Sequence, residues 1–244
     1  MAEVLFVGTG DAFGSGGRRN SAILVRDAGR TLLLDCGPTT LSGLKELGVD
    51  PLEIDAVALS HFHGDHIAGL PFLLLDYVYA HPRERPFEVL GPPGVHDRLA
   101  ALTRAYHYDQ EQRGRYPLRF SEFTFDKPLE VAGFRVTPMP AVHQADTCPH
   151  MLRVDTSRRS LVFSGDTGWH ESLPTKVGDA DLFICECVFM DEEFQFHLSY
   201  ARLARERARF QCGALRLTHL GHQVLENMGR VHFDTADDGL KIQV

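Results

Sequence analysis

His61-Phe62-His63-Gly64-Asp65-His66 follows directly on the apolar run Ile54-Asp55-Ala56-Val57-Ala58-Leu59-Ser60. Three imidazoles and a carboxylate within six residues do not belong in an apolar core, because buried polar groups without partners cost several kcal/mol each. A divalent metal supplies the missing partner, and imidazole nitrogen with carboxylate oxygen is a set that suits zinc. If the strand stays extended to its end, His61 and His63 point the same way. Gly64 then permits a sharp change of direction, and Asp65 and His66 open an apolar segment, 67–79, expected to be a helix. Two ligand pairs facing one point from different heights suit two adjacent metals better than one. A solvated, His-rich turn is the plain alternative, and the strand–turn–helix setting argues against it.

The rest of the chain bounds what can surround this motif. Its 244 residues, 43% apolar, suffice for one sizeable core or two fused ones. No window of eighteen uninterrupted apolar residues occurs, so no membrane span is expected. The amino terminus carries no basic leader, so no signal peptide is expected either. Five scattered cysteines (Cys36, Cys148, Cys185, Cys187 and Cys212) read as thiols in a reducing cytoplasm rather than as a disulfide framework. Cys185 and Cys187 could share one strand face, but no second close pair completes a zinc site. The net charge of −8 argues against a surface generally coated by nucleic acid, though not against a local basic groove.

Strand-like runs at 4–7, 22–26 and 31–35 lead to a helix at 39–47 closed by Gly48, then to the strand at 54–60. The Gly-rich stretch Gly8 to Gly17 lacks the G-x-G-x-x-G spacing and a following helix, so it borders a pocket rather than binding a dinucleotide. Pro71 fits the 67–79 helix if it lies in the first turn. A strand at 87–90 and a helix from 95 to about 107 precede a polar surface loop at 108–117. Strands are expected at 119–125, 129–131, 134–139, 151–155, 160–164, 182–185 and 214–218, with helices at about 200–210 and 223–228 and a short terminal strand. Two strand-rich halves carrying helices imply an α/β chain built as an αββα sandwich of two mixed β-sheets flanked by helices. One domain, 1–244, is expected.

A two-metal site needs more ligands, and the second half offers them at strand ends. His143 follows the strand 134–139, Asp166 lies in Phe163-Ser164-Gly165-Asp166-Thr167, and His219 follows Leu215-Arg216-Leu217-Thr218. Singly, each could be an ordinary surface side chain. His-x-His-x-Asp-His after an apolar strand resembles the signature of the metallo-β-lactamase superfamily of metal-dependent hydrolases. The three further positions resemble that family's remaining ligands in the same order. The resemblance implies His61, His63 and His143 on one metal, Asp65, His66 and His219 on the other, and Asp166 bridging. Relatives that use di-iron for redox work carry a carboxylate where this chain has His63. The ion pair implied is therefore zinc, with manganese as a second choice, and the chemistry hydrolysis. Two such ions roughly 3.5–4 Å apart can hold a hydroxide and clamp a phosphoryl oxygen.

Within that superfamily the chain looks most like the ribonuclease Z-like phosphodiesterase branch. Leu34-Asp35-Cys36-Gly37, Ile67-Ala68-Gly69-Leu70-Pro71, Glu186-Cys187-Val188-Phe189 and Phe196-His197-Leu198-Ser199 carry this likeness. It implies that His197 meets the scissile phosphate and assists the leaving group, with Glu186 orienting it. An alternative makes His197 part of a capping turn before the helix opened by Ser199. Asp65, His197 and Glu186 are thus the candidate catalytic residues. There are departures. Gly37-Pro38-Thr39-Thr40 replaces Gly-Glu-Gly-Thr-Gln, only 83–117 offers room for a tRNA-gripping arm, and His150-Met151 replaces Gly-Tyr. A cysteine-rich extra metal site known in a cyclic-phosphate relative has no counterpart.

Arg18 and Arg19 are candidates for steering an anionic substrate or are ordinary solvated arginines, while Arg202, Arg205, Arg207 and Arg209 read as a solvated helix face. The leading expectation is a dinuclear zinc phosphodiesterase using a metal-bridging hydroxide on a small or nucleotide-like phosphodiester. Ribonuclease Z-like RNA cleavage, hydrolysis of a carboxylic ester, lactone, thioester or β-lactam, and a non-catalytic metal-binding sensor or carrier are the other readings. Expected partners are a phosphodiester, small molecule or RNA, and no membrane. A homodimer is compatible with the sequence.

Overall fold

A computed structural model describes residues 1–107 and 116–244; most of the loop expected at 108–117 lies outside the described residues. Strands β1 (Glu3–Gly8), β2 (Ala22–Asp27), β3 (Arg30–Leu34), β4 (Ala56–Ala58), β5 (Phe87–Gly91), β6 (Leu118–Glu122) and β14 (Lys241–Gln243) form one sheet, in the order β14-β1-β2-β3-β4-β5-β6. Strands β7 (Leu129–Val131), β8 (Phe134–Pro140), β9 (His150–Asp155), β10 (Ser160–Phe163), β11 (Leu182–Glu186), β12 (Ala214–Thr218) and β13 (Asp234–Thr235) form the other, ordered β13-β12-β11-β10-β9-β8-β7. The expected αββα sandwich is what forms.

Strand alternation explains the layers. In β1, Val4 and Phe6 face the second sheet, while Leu5 and Val7 face helices. In β11, Leu182 and Ile184 enter the inter-sheet core and Phe183 and Cys185 the outer one. With both faces covered, these strands read as continuous apolar runs, and each fully buried Leu or Phe contributes about 1.5–3 kcal/mol. Helices α1 (Thr40–Glu46), α3 (Leu70–Tyr79) and α4 (Val95–Ala105) cover the first sheet. Helices α5 (Leu173–Val177), α6 (Tyr200–Glu206) and α7 (His222–Glu226) cover the second.

Several elements are shorter than the sequence suggests, for physical reasons. The strand at 54–60 pairs only over β4, because the Ser60 amide is taken by the Asp35 carboxylate instead of a neighbouring strand. The helix at 67–79 is two pieces, α2 (Gly64–Ile67) and α3. Between them Gly69 N donates to Cys36 O at 2.9 Å, and a Cβ on Gly69 would lie 1.9 Å from Gly37 O. The chain breaks its helix to seat the motif on the end of β3. Pro71 then sits in the first turn of α3, where its missing N–H costs nothing. The helix at 200–210 turns 3₁₀ over Arg207–Arg209, and α5 has no counterpart among the sequence expectations. No described helix is long and apolar enough to cross a membrane.

Candidate metal centre

Parallel pairing puts the functional side chains on one rim. β3, β4 and β5 run parallel, and β10, β11 and β12 do likewise. β8 and β10 are both antiparallel to β9, so β8 shares their direction. The loops at the carboxyl ends of these strands carry His61 to His66, His143, Asp166, Glu186 and His219, the usual location for a ligand site in α/β sheets. Gly165, at φ 52°, makes the turn before Asp166 against Ser60, where a Cβ would come within 2.7 Å of another Cβ. His219 itself adopts a left-handed φ of 53°, a conformation that non-glycine residues hold only where surroundings enforce it.

The seven sequence-predicted ligands come together in two groups. His61, His63, His143 and Asp166 form one; Asp65, His66, His219 and Asp166 form the other, with all donor atoms of each group within 4.8 Å of one another. Asp166 faces both. Its Oδ2 lies 3.7 Å from His61 Nε2 and 3.9 Å from His143 Nε2, and its Oδ1 lies 3.3 Å from His66 Nε2 and 3.5 Å from His219 Nε2. Donor atoms held about 2.0–2.2 Å from a tetrahedral ion stand roughly 3.4 Å apart, so the spacing fits a metal. His66 Nε2 and Asp166 Oδ1 are buried without a hydrogen-bond partner, a cost that a cation in the Asp65, His66 and His219 group would remove. The residues fit divalent metals.

Contacts behind the ligands select which nitrogen faces inward. His66 Nδ1 is 2.6 Å from Asp35 Oδ2, His61 Nδ1 is 3.0 Å from Ser60 Oγ, His143 Nδ1 is 2.8 Å from the Phe196 carbonyl, and His63 Nε2 is 3.1 Å from Gln144 Oε1. Each such bond fixes a tautomer and a ring orientation. Asp35, Ser60 and Gln144 stand behind the candidate ligands, a placement that the sequence reading did not give them. A carboxylate ending the apolar run Leu32-Leu33-Leu34 was the available signal for Asp35.

Electrostatics follow from this crowding. Burial disfavours charge on Asp166, but His219, His66 and His61 overcome it and hold the carboxyl well below the usual carboxylate range. Asp65 likewise is drawn down, against burial, by His66 and His219. Burial and the neighbouring His66 keep His61 neutral, far below its ordinary value, and burial lowers His143. His61 and His143 are thus neutral beside ionised carboxylates, as metal binding requires. Burial disfavours charge on His66, but Asp166, Asp35 and Asp65 overcome it and raise the imidazole well above its ordinary value, so a cation there would displace a proton.

His197 and Glu186 form a separate pair beside the ligands. His197 Nδ1 is 2.9 Å from Glu186 Oε1 and 4.0 Å from Asp166 Oδ2. Glu186 also accepts from the Thr167 amide at 2.8 Å and the Leu198 amide at 3.1 Å. Burial raises the Glu186 carboxyl above its ordinary value, and His197 offsets only part of that; three N–H donors favour its carboxylate form. For His197, burial works against charge, but Glu186 more than compensates and raises the imidazole to about 9. Ser199 caps α6 by accepting from Arg202 N, so the capping role belongs to Ser199 while His197 faces the site. A cavity of about 260 Å³ lined by Asp65, Asp166, His197, His219 and the exposed Phe13 opens here.

Other candidates resolve differently. Arg18 bonds Thr9 Oγ1, the Ala236 carbonyl and Asp237, and Arg19 bonds the Val7 carbonyl, Glu46 and Asp238. Both guanidiniums tie the Gly-rich loop to the carboxyl-terminal segment and α1; they are neither free to steer substrate nor simply solvated. Arg202, Arg205 and Arg209 pair with Glu171, Glu193 and Glu206, as a solvated face would. Cys185 and Cys187 are buried thiols whose pKa burial raises.

Residues 2–235 match the family described as Anti-Pycsar protein Apyc1. The chain belongs to that family. It is also 27% identical over 240 residues to the ribonuclease Z of Mycobacterium bovis (strain BCG / Pasteur 1173P2), covering 90% of this chain and 86% of that protein. With the ribonuclease Z of Methanothermobacter thermautotrophicus it shares 28% over 189 residues, 73% of this chain but 60% of that protein. Among solved structures, the metallo-β-lactamase fold protein YhfI from Bacillus subtilis superposes with a TM-score of 0.81 at 24% identity over the whole of both chains. Human tRNase Z, short form, superposes with 0.79 at 23% identity over 99% of each. The fold is that of the metallo-β-lactamase superfamily, and the chain is a metal-dependent hydrolase of the phosphodiesterase type, ribonuclease Z-like.

Proposed function

We propose that the protein is a dinuclear zinc phosphodiesterase acting on a small or nucleotide-like phosphodiester, and that its two sheets work as one domain around a shared site. His61, His63 and His143 would hold one ion, Asp65, His66 and His219 the other, with Asp166 between them. When bound, such a pair supplies Lewis acidity and a water-derived nucleophile at neutral pH.

The observation that carries the reading is the His197–Glu186 pair at the edge of the ligand set. Glu186 engages Nδ1 and leaves the Nε2–H edge of a protonated ring for an oxyanion. An imidazolium there can hydrogen-bond a non-bridging phosphate oxygen and pass its proton to the departing alkoxide. Glu186 is a positioning residue: it holds the ring and its charge without reaching substrate. Asp65 acts as a ligand rather than a proton carrier, since its carboxyl is ionised across the working pH range. A small substrate is favoured because, among the described residues, β5 and α4 take up most of the region 83–117, where an RNA-gripping arm would have to arise. The five free thiols suit a cytoplasmic setting.

Elemental analysis should approach two metals per chain. Bis(p-nitrophenyl) phosphate should be hydrolysed well ahead of lactone, thioester and nitrocefin substrates, with loss of turnover in His66→Ala and Asp166→Ala. A fully metallated sample without phosphodiester turnover overturns the proposal. The ribonuclease Z relatives favour RNA as a second reading, and cleavage of a precursor tRNA at a rate exceeding that of small diesters would select it.

A further inference from the structure

Phe13 lines the cavity that contains Asp65, Asp166, His197 and His219, yet it is 90% exposed, which puts it at the cavity's open edge. A lone exposed ring needs no explanation by itself. This one is held in place by its own loop. Asp11 is buried, and its Oδ1 accepts from the Phe13 amide at 3.2 Å and the Ser15 amide at 2.9 Å. Its Oδ2 accepts from Ser15 Oγ at 2.7 Å. Gly14 follows at φ 64°, a left-handed turn that glycine makes at little cost. The loop is also fixed to the ligand rim, because Leu220 N, next to His219, donates to Thr9 O at 3.3 Å. A ring oriented before anything binds needs little further ordering when something does.

The rest of the same cavity limits what can meet the ring. Ala12 and Val188 supply further apolar surface, Asp11 and Asp65 supply carboxylates, and among the described residues no lysine or arginine lines it. A charged anionic substituent would face those carboxylates without a counter-charge. His197 narrows the chemistry again. In the reading above it gives a proton to the departing oxygen, which an alkoxide requires and a phenolate does not. The leaving group that makes use of this cavity is therefore an aliphatic alcohol, with its oxygen at His197 and its carbons toward the apolar edge.

We propose that Phe13 selects the departing alcohol by packing on the carbon skeleton of an uncharged aliphatic leaving group, and that Asp11 is the positioning residue that holds the ring for it. Hydrolysis breaks the P–O bond to this alcohol and forms one to the oxygen of water. His197 supplies the proton that leaves with the alcohol, and a proton of the water restores the imidazolium. The inference rests on the phosphodiesterase reading above and adds to it the class of leaving group. It favours a small diester over an RNA strand, which continues through further phosphates on both sides of the scissile bond.

Methyl pentyl phosphate offers two aliphatic alcohols in one molecule, so the ratio of pentanol to methanol released reads leaving-group choice independently of metal loading and folded fraction. Each methylene covered by the ring favours release about fourfold, so the metal-loaded native chain should release pentanol over methanol by roughly tenfold. Phe13→Ala should cut that ratio to about threefold or less, and Phe13→Leu, which keeps an apolar face, should retain most of it. Asp11→Asn should lower the ratio as Phe13→Ala does, whereas a purely structural role would lower turnover and leave the ratio alone. With methyl 4-carboxybutyl phosphate the preference should turn to methanol. Added 1-pentanol should shift the NMR signals of the Phe13 ring before others in the metal-free protein. Equal release of the two alcohols by the native chain, an undiminished ratio in Phe13→Ala, preferred release of the carboxylate-bearing alcohol, or pentanol shifts confined elsewhere would overturn the role of Phe13. An undiminished ratio in Asp11→Asn would remove the positioning role of Asp11. Turnover of bis(p-nitrophenyl) phosphate without turnover of either dialkyl ester would overturn the aliphatic leaving group. Failure on all three esters would instead overturn the phosphodiesterase reading, with the NMR titration still reporting on Phe13.

Discussion

Asp35 Oδ2 accepts a hydrogen bond from His66 Nδ1 at 2.6 Å and another from Ser60 Oγ at 2.8 Å. Ser60 Oγ is in turn 3.0 Å from His61 Nδ1. One buried carboxylate therefore orients an imidazole in each ligand group, directly for His66 and through a hydroxyl for His61.

Asp35→Asn should consequently loosen metal without removing a ligand. An amide cannot match a carboxylate as acceptor for His66, and losses of this kind weaken metal affinity by about 10–100-fold. Competition against a chromogenic chelator measures it. Unchanged affinity would show that Asp35 serves the fold alone.

Metal removal should cost stability as well as activity. The ligands crowd ionised carboxylates and imidazoles into a buried space, and an ion bound at 100 times its Kd stabilises by about 2.7 kcal/mol per site. For a chain of this size and two such sites, chelation should lower Tm by about 10–20 °C, and added zinc should restore it. Calorimetry with and without chelator decides the point.

The His197–Glu186 pair makes a pH prediction whose sign is defined. His197 is raised to about 9 from an ordinary 6.5. The stabilisation from its bound proton is complete below about 6.5 and is lost as pH rises through about 9. In the metal-free protein an NMR titration of His197 should therefore have its midpoint near 9, and in Glu186→Gln that midpoint should fall toward the ordinary value. A midpoint unmoved by Glu186→Gln would refute the pairing.

Loss of His197 should depend on the leaving group. His197→Ala should slow hydrolysis of an alkyl diester by about 10²–10⁴-fold and that of a p-nitrophenyl diester much less, since p-nitrophenolate departs with little proton assistance. Metal content should not change. Equal losses on both substrates would assign His197 to binding rather than proton transfer.

Arg18→Gln should act on stability and leave substrate electrostatics alone. Its guanidinium already serves Thr9, Ala236 and Asp237, so the variant should lose on the order of 1–2 kcal/mol. The salt dependence of KM should stay as it was. A flattened salt dependence would restore the steering role.

What the sequence could show was local chemistry. His61 to His66 declared a metal because no core accommodates that density of imidazole, and alternating or continuous apolar runs marked most strands and hence the two-sheet architecture. His143, Asp166, Glu186, His197 and His219 could be nominated because each follows or ends an apolar run and matches a family pattern. The tertiary structure alone decided who stands behind them. Asp35, Ser60 and Gln144 acquire their roles through contacts as distant as 81 positions along the chain, which no local pattern encodes. Arg18 and Arg19 looked available only because Asp237 and Asp238 lie more than two hundred residues away. The break between α2 and α3 was likewise invisible, since Gly69 reads as helix until the Gly37 carbonyl occupies the space a side chain would need. Residue identity determines which chemistry is possible, and long-range packing determines which nitrogen, oxygen or guanidinium is left free to perform it.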